Sequence, residues 1–163
     1  MKNWRSAWYE GTGGATDENF PIGFVQIGPM TNRPPNQWAQ TFAIRMGQTA
    51  NYGYAPNARW PQTFMATAFD LANPPNTNCI AGCIHIFNKQ AVGHRLAVAA
   101  RAVVYGEEIT YSGPRPTSVA VSGPNSLVVT YDSATTVGSG INLRSNYGFE
   151  AHSTTTGMWS RAN

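Results

Sequence analysis

One histidine stands where a strand-to-helix connection is expected and could act as a general base. His85 lies in "CIHIFNKQAVGHRLAVAARAVVYGE", residues 83–107, just ahead of a run with helical periodicity. In open α/β sheets, ligands bind outside the carboxyl ends of the strands, where such a histidine would meet a substrate. A loop histidine whose ring bonds to a backbone carbonyl is the alternative interpretation. The residues alone leave both interpretations open.

A base of this kind needs an orienting acid and a nucleophile. Asp70, at the end of a predicted strand, is the nearest acidic residue upstream. It could orient the imidazole, although a strand-end aspartate more commonly caps or forms a turn. No G-x-S-x-G motif occurs, and "VGSGIN" lies outside a strand–turn–helix context. Cys83 lies two residues before His85 but shows no feature of an activated thiolate.

The two cysteines do not indicate a metal site. Cys79 and Cys83 form "CIAGC", and zinc requires four ligands where only His85 and His94 lie nearby. A short-loop disulfide and two free thiols both fit this spacing. The net charge is +3 and the eleven Lys and Arg are scattered, so no nucleic-acid or anionic-membrane partner is expected. The opening "MKNWRSAWYEGTGG" lacks the apolar core of a signal peptide, and no compartment is predicted.

The elements that would position His85 read as an α/β arrangement with a parallel sheet. "NFPIGFVQIGP" and "TFMATAFDLA" are short apolar runs bounded by breakers, which indicates buried strands. "QWAQTFAIRMGQTA" has apolar residues at helical spacing. A longer helix is predicted after Asn88, its N-cap, with Gly106 as its stop. Trp4 and Trp8 are also spaced for one helical face.

The pattern of apolar and polar residues changes near residue 110. "EITYSGPRPTSVAVSGPNSLVVTYD" alternates and is interrupted twice by Ser-Gly-Pro, which is typical of short antiparallel strands. The sequence therefore predicts two parts: an α/β part over 1–110, and over 111–163 a β module that is small for an independent sandwich.

Four motifs follow one another along the chain: "WR" at 4–5, "FPIGFVQI" at 20–27, "IRMGQTANYGYAPNARWPQTFMATAFDL" at 44–71 and "IHIFNKQAVGHRLAVAARAVVYGE" at 84–107. In this order they resemble the sialate O-acetylesterase family, in the SGNH (GDSL-like) serine hydrolase superfamily. The resemblance covers residues 4 to about 115, with a looser match in the tail. It implies a partial flavodoxin-like α/β fold, a parallel sheet flanked by helices and followed by a short antiparallel, sandwich-like β segment. The matched stretch would be the C-terminal part of the catalytic domain.

The same resemblance implies removal of O-acetyl groups from sialic acid or related sugars by a serine nucleophile. The histidine of the family's I-H-P-x-x-K-Q segment, which takes the serine proton, corresponds here to His85. Asp70 is the nearest candidate for the orienting acid, since the position three residues before the histidine is Gly82. Gln48 and Asn51 fall in a shared segment near an expected substrate pocket; helix-end and turn roles suit them equally.

Two departures from the family pattern bear on activity. Ile86 stands where the family usually has Pro, and Phe87 where a basic residue is usual. The nucleophilic serine lies upstream of any residue present, so we expect a fragment that is inactive alone, without metal or organic cofactor. Its expected partner is an O-acetylated sialic acid or similar sugar, and a missing N-terminal segment would carry the serine. The alternative is a non-catalytic sugar-binding or structural remnant of such an esterase.

Overall fold

The computed structural model describes residues 1–29, 38–73, 84–136, 140–141, 149–153 and 155–162. The chain divides into two compact units, Met1–Ser112 and Gly113–Asn163. The first unit contains, in chain order, α1 (Lys2–Gly11), β1 (Ile22–Val25), α2 (Trp38–Gln48), β2 (Thr63–Ala66) and α3 (Lys89–Val103). The second contains β3 (Pro116–Gly123), β4 (Ser126–Tyr131), β5 (Phe149–His152) and β6 (Trp159–Ala162), with a 3₁₀ turn at Ser133–Thr135.

The sheet of the first unit is parallel, as the sequence predicts. Ile22 of β1 pairs with Thr63 of β2, and the register continues to Val25 opposite Ala66. The Gln26 amide then donates to the Ala66 carbonyl at 2.9 Å, which extends the pairing past the end of β1. Parallel strands require a long crossover connection, and α2 lies in the connection between these two strands. Both strands therefore direct their carboxyl ends toward the same edge.

Helix α3 begins where the sequence predicts. The Asn88 side chain caps it by accepting a hydrogen bond from the Ala91 amide at 3.0 Å. The helix ends at Val103, and Gly106 follows with φ of 70°, in the left-handed region that glycine tolerates. One face of α3 packs on β2, and the apolar cluster comprises Ala66, Ala68, Ile86 and Val92, with Leu71 and Leu96 against it.

Helix α1 is attached to the amino ends of both strands through one arginine. Arg5 is 6% exposed, and its guanidinium donates to the carbonyls of Phe20 (3.1 Å), Pro61 (2.7 Å) and Gln62 (3.2 Å). Burial lowers the pKa of Arg5, with a smaller opposing effect from Asp17. The arginine therefore ties the helix to the segments that enter β1 and β2.

The second unit consists of antiparallel strand pairs, as expected from its alternating sequence. Strand β3 pairs with β4, with Val119 opposite Val129, and β5 pairs with β6, with Phe149 opposite Ala162. Of the helices in the described part of the chain, none has the length and hydrophobicity that crossing a bilayer requires.

Candidate functional site

His85 lies in the connection between the end of β2 and the start of α3. Its side chain is exposed. Within the described residues, the imidazole makes no hydrogen bond or ion pair. The expectation that a backbone carbonyl engages the ring is therefore not what the described residues show. Both ring nitrogens are left available to an incoming group.

The backbone around His85, in contrast, is held by the buried side chain of Asn73. Asn73 is 5% exposed, and its Nδ2 donates to the His85 carbonyl at 2.8 Å. Its Oδ1 accepts from the Phe87 amide, also at 2.8 Å. One side-chain amide thus fixes the peptide units on both sides of Ile86. The hydrogen bonds span 12 and 14 residues of sequence, so no local sequence pattern predicts them.

The buried side chain of Ile86 also anchors the segment 85–87, through apolar contacts. Its side chain is 4% exposed and belongs to the apolar cluster on β2 and α3. It lies so close to Gly28, just beyond β1, that a Cβ on that glycine would be 2.7 Å from Ile86 Cδ1. His85 is consequently located against the carboxyl ends of both parallel strands, the edge where α/β folds bind ligands.

Asp70 is engaged by an arginine of α3. Both carboxylate oxygens accept from Arg95 at 2.7 Å, a bidentate, half-exposed ion pair. The hydrogen bond to Asp70 raises the pKa of Arg95, against a smaller opposing effect of burial. Within the described residues, no hydrogen bond joins Asp70 to the His85 ring. The orienting role of Asp70 stays a prediction.

Gln48 and Asn51 lie at the end of α2. The side-chain oxygen of Gln48 accepts a hydrogen bond from the Ile27 amide at 2.9 Å, and its side-chain nitrogen donates to the Val25 carbonyl at 2.9 Å. Gln48 therefore satisfies backbone groups at the carboxyl end of β1. Asn51 has φ of 68° in the turn that ends the helix, and its backbone amide donates to the Met46 carbonyl. The contacts described for both residues are with the backbone, and their substrate-binding role stays a prediction.

The sequence did not single out Arg45, which also holds the backbone just beyond the carboxyl end of β1. Its guanidinium donates to the Ile27 and Gly28 carbonyls at 3.0 Å each and lies 5.4 Å from the centre of the Phe69 ring. Burial lowers the pKa of Arg45. The two carbonyls lie 18 and 17 residues away in sequence and outside α2, so no local pattern could have indicated these contacts.

A cavity of about 800 Å³ lies elsewhere in the first unit. It is bordered by α1 and by the segments before the two strands, including Tyr9, Tyr52 and Trp60. None of the four predicted site residues lines it, and it is at the amino ends of the strands. The chemistry of the His85 connection therefore does not depend on this cavity. Cys79 and Cys83, whose state the sequence leaves open, lie outside the described residues.

Comparison with solved structures defines the class of fold. The chain superimposes on a carbohydrate acetylesterase from Xanthomonas citri with a TM-score of 0.68 and 24% identity, covering 98% of this chain and 35% of that one. The predicted fold class, an α/β arrangement with a parallel sheet followed by antiparallel strands, is confirmed. No family model matches the sequence.

Known protein sequences show which proteins this chain resembles. Sialate O-acetylesterase from Mus musculus is 39% identical over 134 residues, which are 81% of this chain and 24% of that protein. The Homo sapiens enzyme is 36% identical over 129 residues, or 78% of this chain. The resemblance to sialate O-acetylesterases is therefore confirmed over the matched stretch. The chain spans about a quarter of the length of these relatives.

Proposed function

We propose that this chain supplies the base-bearing part of a carbohydrate O-acetylesterase that removes acetyl groups from sialic acid or related sugars. The observation that carries the proposal is an exposed imidazole that has no hydrogen-bond partner among the described residues, on a backbone anchored at the carboxyl ends of the parallel strands. Relatives 36–39% identical over this stretch are named sialate O-acetylesterases.

In the proposed reaction, His85 acts as general base and then as general acid. It accepts the proton of a serine hydroxyl as that oxygen attacks the acetyl carbonyl, and it returns the proton to the leaving sugar oxygen. Water then attacks the acetyl-serine ester while the same imidazole takes a proton from it. The imidazolium returns that proton to the serine oxygen as the ester bond breaks, which releases acetate and restores the serine. We propose that the serine comes from a segment outside these 163 residues, that residues 1–110 are the C-terminal part of the hydrolase domain and that 111–163 belong to a β-sandwich-like module.

The serine requirement is tested with the purified chain and 4-nitrophenyl acetate. We expect no hydrolysis above that of a His85→Ala chain, because loss of the nucleophile leaves only residual effects of binding and electrostatics. A rate that depends on His85 in the chain alone would contradict the proposal that the serine is supplied from elsewhere. It would direct attention to Cys83 or to a serine within the chain.

The role of His85 is tested in a chimera in which the 134 matched residues replace their counterpart in mouse sialate O-acetylesterase, which is 39% identical over that stretch. The chimera is expected to release acetate from O-acetylated sialic acid. If instead the chain binds acetylated sialosides while a folded chimera is inactive, the non-catalytic remnant is the better description.

A further inference from the structure

The side-chain amide of Asn73 bonds through both its oxygen and its nitrogen to the backbone around His85. A buried amide group must find hydrogen-bond partners, because leaving it unsatisfied costs more than the bond itself contributes. Asn73 satisfies its Oδ1 and one Nδ2 proton on the Phe87 amide and the His85 carbonyl, at 2.8 Å each. These two bonds remove most of the backbone freedom of residues 85–87.

Burial of Ile86 adds an apolar anchor between the two hydrogen bonds. Its side chain points into the cluster formed with Ala66, Ala68 and Val92, while the side chains on either side of it, His85 and Phe87, are exposed. The tripeptide is thus held by polar contacts along its backbone and by apolar contacts through its central side chain.

We propose that Asn73 is a positioning residue for the base, an inference that rests on the proposed function of His85. General-base catalysis requires the imidazole within about 3 Å of the hydroxyl it deprotonates, and a misplacement of about 1 Å can cost roughly a hundredfold in rate. Asn73 does not contact the reacting atoms. It fixes the Cα of His85, so that the ring samples a small volume around one point, and Ile86 supplies by burial the rigidity that a proline would supply by its ring.

The test is a nuclear magnetic resonance measurement on the labelled 163-residue chain, which needs no activity. In the wild type we expect backbone order parameters of about 0.85 at His85 and Phe87, falling below about 0.6 in Asn73→Ala. The imidazole signals of His85 should shift or split, while those of His94, exposed on α3, serve as an internal reference. In the chimera, the same substitution should lower kcat about tenfold with KM unchanged.

The matched control is Asn57→Ala. Asn57 is also buried, at 7% exposure, and also bonds to backbone carbonyls, those of Thr49 (3.0 Å) and Tyr54 (2.8 Å). Its removal should destabilise the fold without changing the His85 signals. If Asn73→Ala does not fold, Asn73→Asp keeps the acceptor for Phe87 and loses the donor to His85, so it should disturb His85 selectively.

The proposal is overturned if the folded Asn73 variants keep wild-type order at residues 85–87, or if Asn57→Ala perturbs His85 equally. Failure of the proposed function gives a different result. In that case a His85→Ala chimera would remain active, whatever the order parameters show.

Discussion

The contact between Gly28 and Ile86 predicts a measurable energetic coupling between two segments that meet at the candidate site. A methyl group added at Gly28 would lie 2.7 Å from Ile86 Cδ1, 3.0 Å from its Cγ1 and 3.3 Å from the Ile84 carbonyl oxygen. The first distance is far below van der Waals contact. Gly28→Ala therefore forces Ile86 to shift, whereas Ile86→Val deletes the Cδ1 atom and so removes the shortest of the three contacts.

The magnitudes follow from the packing. Overpacking a tight site costs about 2 kcal/mol, so that is the expected loss for Gly28→Ala. Removing one buried methyl group, as in Ile86→Val, costs about 1 kcal/mol. If the two sites were independent, the double variant would lose about 3 kcal/mol. Because the valine accommodates the new methyl, we expect a loss of about 1.5 kcal/mol and a coupling of about 1.5 kcal/mol.

The assay is urea unfolding followed by tryptophan fluorescence, with free energies extrapolated to water for the wild type, both single variants and the double variant. Gly93→Ala on α3 is the control, since nothing lies within 4 Å of its added Cβ. It should stabilise the chain by about 0.5–1 kcal/mol through helix propensity, independently of Ile86. Additivity of Gly28→Ala and Ile86→Val within about 0.5 kcal/mol would refute the described packing.

Two further outcomes concern polar groups away from His85. Thr41 is 3% exposed, and its hydroxyl has no hydrogen-bond partner in the described part of the chain. Thr41→Val should therefore raise the free energy of unfolding by about 1 kcal/mol in the same urea assay. A loss of stability would contradict this, because it would mean that the hydroxyl has a partner. Hydrogen bonds from Arg115 and from the Ala134 amide keep the pKa of Asp132 below its ordinary value of about 3.9. The ionised form is thus favoured by folding, and its contribution is present above about pH 4 and lost as pH falls through the depressed pKa. Thermal melts of the chain and of Asp132→Asn should converge on acidification, and parallel curves would contradict this.

Local patterns predicted the elements of the first unit well. Apolar runs between breakers located β1 and β2, and the Asn88 cap located the start of α3, because these signals depend on neighbouring residues. The parallel pairing followed from the alternation of strands and helices. The change in the pattern of apolar and polar residues near residue 110 predicted two parts of the chain.

The interactions that anchor His85 could not be predicted in the same way. Asn73 reaches residues 12 and 14 positions away, and Arg5 reaches carbonyls 56 and 57 positions away. Such side-chain to backbone bonds depend on the completed fold and leave no periodic signal. The ion pair between Asp70 and Arg95 is of the same kind, because 25 residues separate the two in sequence. The orienting role of Asp70 toward His85 stays a prediction. Resemblance to a family, rather than periodicity, singled out His85.

The central claim is that His85 serves as the catalytic base, and acetate release by the mouse chimera tests it most directly. Wild-type, His85→Ala and His94→Ala chimeras would be compared on O-acetylated sialic acid, with circular dichroism to verify folding. We expect His85→Ala to lower kcat by about a thousandfold or more, on the scale of losing a triad member, and His94→Ala to leave it within about twofold. A folded His85→Ala chimera that keeps more than about a tenth of the activity would contradict the account.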